Sequence, residues 1–256
     1  IPQTREDEIK PGPVRTGWGQ LIGRYLSDEY EIVNLASSGD WAWDWKFNIF
    51  PTVTYLAKKD DIFLLQFGIN DRNREDKQVP TMTGAIVYMM ETAKKLGLKT
   101  VLIKPQPSVG YSWGTAGEHE KPNGTNAGFF TAIPGIAKKC GVEFLDLFSL
   151  AGDHFAEVGK DYVARNYHLW DLEKDEIADR MHLSFMGADK LAEIVAGELA
   201  ERGIVNTKPY LKNTAIDNEL YTFENGEITH YINLTGDYRQ VHDLVIAPYS
   251  DTIVRM

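Results

Sequence analysis

Apolar positions recur along this chain in two alternating rhythms. Residues 18–26 put Trp18, Leu21, Ile22 and Tyr25 on one helical face, and residues 83–96 repeat that spacing over a longer amphipathic helix closed by Gly97. Short continuous apolar runs lie between such segments. Residues 62–67 (Ile-Phe-Leu-Leu-Gln-Phe) and 100–104 have the length of strands buried on both faces, the second stopped by Pro105 and Pro107. Residues 31–35 and 142–147 predict two more strands. Residues 53–58, 129–139 (despite Pro134), 155–164 and 187–202 predict four more helices.

Strands alternating with helices predict an α/β protein, a parallel sheet covered by helices on both faces. Sites in such sheets lie at the carboxyl ends of the strands, so the loops at 34–39, at 68–71 and after Lys104 share one edge. The last fifty residues read differently. Residues 220–223 and 228–232 flank Asn225-Gly226, a hairpin turn signal, and 244–247 is one more short apolar run. The expected organisation is an α/β domain over 1–205 and a β-rich extension over 206–256.

Charge and composition narrow the partners. The net charge of −10 argues against a nucleic-acid partner, which needs a basic face. No run of 18 apolar residues exists to span a membrane. The single Cys140 excludes an internal disulfide, and no Cys/His cluster has zinc spacing, so neither metal nor cofactor is expected. One cysteine and no visible signal peptide point to a cytoplasmic protein, although Ile1-Pro2-Gln3 lacks an initiator Met. The 6 Trp and 12 Tyr suit stacking on sugars as well as core packing. Oligomeric state is not legible.

The candidate chemistry lies in three places. In Asp179-Arg180-Met181-His182 a carboxylate precedes an imidazole by three residues. On a tight loop or a first helical turn that spacing lets the carboxylate reach ring Nδ1 and aims Nε2 at a pocket; the same spacing also occurs where an Asp caps a helix. Asn70 follows a buried strand, where its amide can meet a developing oxyanion, and Gly68-Ile69-Asn70-Asp71 is also good turn chemistry. Gly39 stands at a strand-to-helix turn, where a glycine can present a bare backbone N–H to a ligand or simply make the turn.

In order and placement these segments resemble the SGNH, or GDSL-type, hydrolase superfamily. Its second block matches Asn34 to Gly39, its third Gly68 to Asp71 and its fourth Asp179 to His182. Gly17-Trp18-Gly19-Gln20 and the Leu-Gln-Phe-Gly run ending at Gly68 are similar to the rhamnogalacturonan acetylesterase branch. The resemblance covers roughly residues 14–204. It implies a three-layer αβα, flavodoxin-like sheet, with His182 as base, Asp179 as its partner, and Gly39 N–H with Asn70 as oxyanion donors. It also implies a serine esterase acting on an acetylated polysaccharide or oligosaccharide of rhamnogalacturonan or xylan type.

The chain departs from that pattern in one respect. The family's nucleophile block, Gly-Asp-Ser at the end of an internal first strand, is absent. Without that strand both neighbours would carry unpaired backbone groups. The leading expectation places the serine upstream of Ile1. Two others stay open: a fold-back in which residues 244–247 fill the slot and Ser250 reaches the site, or a non-catalytic relative that binds a glycan. A lipase or thioesterase of the same superfamily is the rival activity. Ser37 and Ser38 read as turn residues, and Ser184 lies too close in sequence to His182. Trp41, with Trp43 and Trp45, is expected either to wall the pocket or to pack between helix and sheet. The 108–128 stretch is a candidate lid, and His119 on it a candidate substrate contact. His154, His168, His230 and His242 have no matched partner.

Overall fold

The computed structural model describes residues 15–71, 79–108, 127–171 and 174–208, and the backbone of three later strands over 221–224, 227–231 and 252–255. Chain order is α1 (Trp18–Leu21) with a 3₁₀ turn over Ile22–Arg24, β1 (Glu31–Asn34), α2 (Ala42–Asn48), α3 (Phe50–Leu56), β2 (Ile62–Gln66), α4 (Val79–Lys95), β3 (Lys99–Lys104), α5 (Ala127–Cys140) and β4 (Glu143–Asp146). There follow α6 (Leu147–Val158), α7 (Lys160–Tyr162), a π-helical turn over Val163–Tyr167, β5 (His168–Asp171), β6 (Glu176–Leu183), α8 (Phe185–Glu201), β7 (Tyr221–Glu224), β8 (Glu227–Tyr231) and β9 (Thr252–Arg255).

The continuous apolar runs become strands because both faces of the sheet are covered. Ile62 and Leu64 of β2 point into a core built with α1, α6 and α8, while Phe63 and Leu65 point into a second core built with α2, α4 and α5. All four side chains are fully buried. A strand of alternating polarity would expose polar groups to one of these cores. The layers are therefore helix, sheet, helix.

The main sheet has the order β1-β9-β2-β3-β4. β2, β3 and β4 pair in parallel. β9 lies between β1 and β2 and runs antiparallel to both, with Thr252 opposite Asn34 and Leu64, and Val254 opposite Ile32 and Ile62. The central position is thus filled from within the chain. The fold-back expectation is corrected in its segment: Thr252–Arg255 occupies the slot, while residues 244–247 lie outside the described residues. β7 and β8 pair antiparallel.

Three local expectations are revised. The predicted 155–164 helix begins earlier, at Leu147, because the Asp146 carboxylate caps it by accepting from Ser149 N at 3.1 Å; Gly159, at φ 92°, ends it. The strand expected over 142–147 is shortened accordingly. Residues 42–48, read only as a tryptophan run, form α2. Tryptophans two residues apart point roughly 200° apart on a helix, so Trp45 is fully buried while Trp43 is 39% exposed. The antiparallel β5–β6 ribbon was not anticipated.

Candidate active site

The Asp179–His182 segment sits in a break of the β5–β6 ladder. Leu169 pairs with Asp179 and His168 pairs with Leu183, so one step on β5 answers four on β6, and Arg180, Met181 and His182 bulge out of the ladder. The bulge is held by a carboxylate. Asp179 Oδ1 accepts from Met181 N at 2.8 Å and His182 N at 3.0 Å, the turn an aspartate makes with its own backbone. That leaves Asp179 Oδ2 to accept from His182 Nδ1 at 2.5 Å. The tight-loop form of the motif is the one present.

The dyad's charge is set by these contacts. Partial burial works to raise the Asp179 pKa. The ring hydrogen bond from His182 and the two backbone amides outweigh it and hold the carboxyl well below the usual range. Arg15 Nη2 adds a contact to Asp179 Oδ2 at 3.4 Å. An ionised carboxylate on Nδ1 selects the Nδ1–H tautomer, which makes Nε2 the nitrogen able to take a proton.

The second part of the site is a pair of loops at the carboxyl ends of β1 and β2. Gly39 is exposed and has φ 78°, and an added Cβ would meet nothing within 4 Å. That positive φ is a conformation that favours glycine. The two loops are tied together twice. Asn70 Nδ2 donates to Asp40 O at 2.9 Å, and buried Asp71 accepts from Ala42 N at 3.1 Å and Gly68 N at 3.0 Å. Asn70 has two amide hydrogens and this tie uses one. Ser37, Asp40, Gln66, Gly68, Asn70 and Pro105 line a cleft of about 320 Å³, counted out to its open mouth.

The segment over residues 15–18 joins the two parts. Arg15 touches Asp179, Thr16 N donates to Leu183 O at 3.0 Å, and buried Trp18 donates from Nε1 to the cleft residue Gln66 at 3.4 Å. This is the local role of the Gly17-Trp18-Gly19-Gln20 run, itself folded by the Gln20 Oε1 contact to Gly17 N.

The serines separate. Ser184 is the N-cap of α8, with Oγ donating to Asn166 O at 2.5 Å and accepting from Gly187 N at 3.2 Å, so its hydroxyl is committed to the fold. Ser37 lines the cleft and Ser38 is exposed. Ser250 lies outside the described residues, two positions before β9; since Thr252 pairs with Asn34, β9 enters the sheet at the same edge as the Gly39 loop. Trp41 is half-buried at the start of α2, and Trp45 belongs to the core. His119 and most of the candidate lid are outside the described residues. The sequence reading missed His168. Its ring is fully buried and its Nδ1 donates to His182 O at 3.1 Å. Among the described residues no group of three or more His, Cys, Asp or Glu could hold a metal ion, and no helix is long and apolar enough to cross a membrane.

No family model matches the chain. Over 193 residues it is 25% identical to an uncharacterised esterase, YxiM, of Bacillus subtilis, a match covering 74% of this chain and 47% of that protein. The chain thus spans about half the length of that relative. It is 24% identical over 216 residues to a probable rhamnogalacturonan acetylesterase, YesY, of the same organism, covering 82% of this chain and 93% of that one. A third B. subtilis relative, the rhamnogalacturonan acetylesterase RhgT, is 24% identical over 200 residues, covering 73% and 82%. The crystal structure of the B. subtilis YxiM protein shares the fold with a TM-score of 0.63 at 24% identity, over 75% of this chain and 52% of that one. The chain thus has αβα layers and three ordered sequence blocks that resemble those of the SGNH, or GDSL-type, hydrolase superfamily, and it is similar in sequence to esterases and rhamnogalacturonan acetylesterases.

Proposed function

We propose that the chain carries the base and oxyanion parts of a serine esterase that removes acetyl groups from an acetylated polysaccharide or oligosaccharide of rhamnogalacturonan or xylan type. The observation that carries this reading is the Asp179–His182 pair, bonded at 2.5 Å within a bulge that the same carboxylate folds. The names of YesY and RhgT support the carbohydrate substrate.

In this reading a serine Oγ attacks the acetyl carbonyl as His182 Nε2 takes its proton. The oxyanion is met by Gly39 N–H and the Asn70 amide. The protonated imidazole, stabilised by Asp179, returns the proton to the departing sugar oxygen. Water activated by the same nitrogen then releases acetate. The candidate serine within the chain is Ser250, two positions before β9 in sequence.

The test is hydrolysis of an aryl acetate and of an acetylated pectin or xylan oligosaccharide, with a fluorophosphonate probe to mark the nucleophile by mass spectrometry. Hydrolysis lost in His182→Ala, with the label on Ser250, supports the whole reading. A label on another serine keeps the esterase and moves the nucleophile. One observation favours a second reading: the central strand is antiparallel, unlike its parallel neighbours beyond β2. Glycan binding with neither hydrolysis nor labelling would make the chain a non-catalytic glycan binder.

A further inference from the structure

Two of the polar contacts that hold His182 come from Asp179, and a third comes from another residue. The carboxylate takes the backbone N–H and ring Nδ1. The bulge removes His182 from the ladder, so no regular strand pairing orients its carbonyl. That oxygen is met instead by the Nδ1–H of His168, at 3.1 Å.

We propose that His168 is the positioning residue of the base, its ring clamping the His182 carbonyl and so setting the angle at which the His182 imidazole meets Asp179. The proposal rests on the reading of His182 as base. Several features of His168 support it. The residue is fully buried, with Phe155 packed edge-on at 6.5 Å. A carbonyl only accepts, so Nδ1 carries the hydrogen and Nε2 the lone pair. Nε2 is itself buried and has no hydrogen-bond partner among the described residues. An apolar side chain here would avoid that desolvation cost, so stability alone does not call for a histidine. What the histidine supplies is the single bond to His182.

The ring is also kept in the form the bond needs. Burial pushes its pKa down to about 4, against weaker upward pulls from the His182 carbonyl bond and the Asp179 charge, while the facing His182 ring adds to the depression. His168 is therefore neutral at neutral pH and holds one tautomer.

The test begins with the unmodified chain. Nitrogen-15 NMR of the imidazoles should show His168 as the Nδ1–H tautomer across neutral pH; an Nε2–H tautomer overturns the proposal. Two amide substitutions then separate clamping from mere polarity. In His168→Asn the amide nitrogen falls near the Nδ1 position, and in His168→Gln it falls one bond farther out. Asn should keep the far-downfield Nδ1 proton of His182 in its short bond to Asp179, and Gln should lose or broaden it at equal thermal stability. Where hydrolysis is measurable, Gln should lower kcat by about 10–100-fold with KM little changed, the scale of a misplaced catalytic group. Identical His182 resonances in the two variants would overturn the positioning role. His182→Ala with unchanged hydrolysis would instead remove the base reading, and the NMR result would stand apart from it.

Discussion

Helix α8 offers two glycines for one substitution, and the structure assigns them opposite signs. Gly187 lies in the first turn, where an added Cβ would sit 2.2 Å from Tyr167 O, 2.8 Å from Tyr167 Cα and 2.9 Å from Tyr167 C. These are backbone atoms, and the same Tyr167 carbonyl already accepts from Ser184 N at 3.0 Å, so it cannot swing aside. Relief needs α8 to move off the π-helical turn by about 1 Å, toward ordinary van der Waals separation. Overpacking of this kind costs about 1–3 kcal/mol, and weakening the Ser184 bond about 1 kcal/mol more, against a helix-propensity gain of about 1 kcal/mol for Gly→Ala. The expected net loss for Gly187→Ala is about 2 kcal/mol. Gly197, exposed and ten residues along the same helix, has nothing within 4 Å of its added Cβ. Gly197→Ala should therefore gain up to about 1 kcal/mol. Urea unfolding of both variants, read at equal m values, measures the difference. If Gly187→Ala falls within about 1 kcal/mol of Gly197→Ala, the close approach of α8 to Tyr167 is not as described.

Four further outcomes follow from the site and the sheet. His168, with its pKa lowered from 6.5 to about 4, binds fewer protons folded than unfolded. Its contribution, about 3 kcal/mol, is therefore complete above pH 6.5 and is lost as pH falls toward 4. Urea midpoints across that range should show a slope that His168→Asn reduces by about one proton. Asn70→Ala should lower kcat for acetyl ester hydrolysis by about 10²–10³ with KM little changed, since its second amide hydrogen meets charge that exists only in the transition state; an effect confined to KM would make Asn70 a ground-state contact. Asp179→Asn should reduce hydrolysis less than His182→Ala, because the base survives without its orienter, and the reverse order in parallel kinetics would contradict the assignment. Removing residues 252–256 takes away the strand through which β1 joins the sheet, so hydrogen exchange should lose protection at the Ile32 to Asn34 amides; unchanged protection there would place another segment in the slot.

The contact between Asp179 and His182 was legible in the sequence because it is local. A carboxylate three residues before an imidazole needs only a tight turn, and Asp179 makes that turn with its own Oδ1. Gly39, Asn70 and Asp71 were legible for a related reason: each follows a strand whose apolar run is unmistakable, and strand ends in such sheets converge. Periodicity likewise predicted β2, β3, α4 and α8, whose buried faces are continuous. It left the Trp41 to Trp45 run open between a pocket wall and packing against the sheet; the run leads into α2, which sends Trp45 into the core and Trp43 outward. It placed the 155–164 helix late because Asp146 caps a segment whose apolar positions begin at Leu147.

The sequence by itself determined the layered α/β plan, the two carboxyl-edge loops and the Asp179–His182 pair, all matters of local spacing or of burial on two faces. Only the tertiary structure decided what depends on meetings between distant segments. His168 reaches His182 across a ladder whose register jumps by three residues, and no local pattern encodes that jump. β9 lies some 190 residues beyond β2 and more than 200 beyond β1, yet it completes the sheet between them. A short strand finds its place by the backbone groups its neighbours leave unpaired, and those groups exist only once the rest of the sheet has formed.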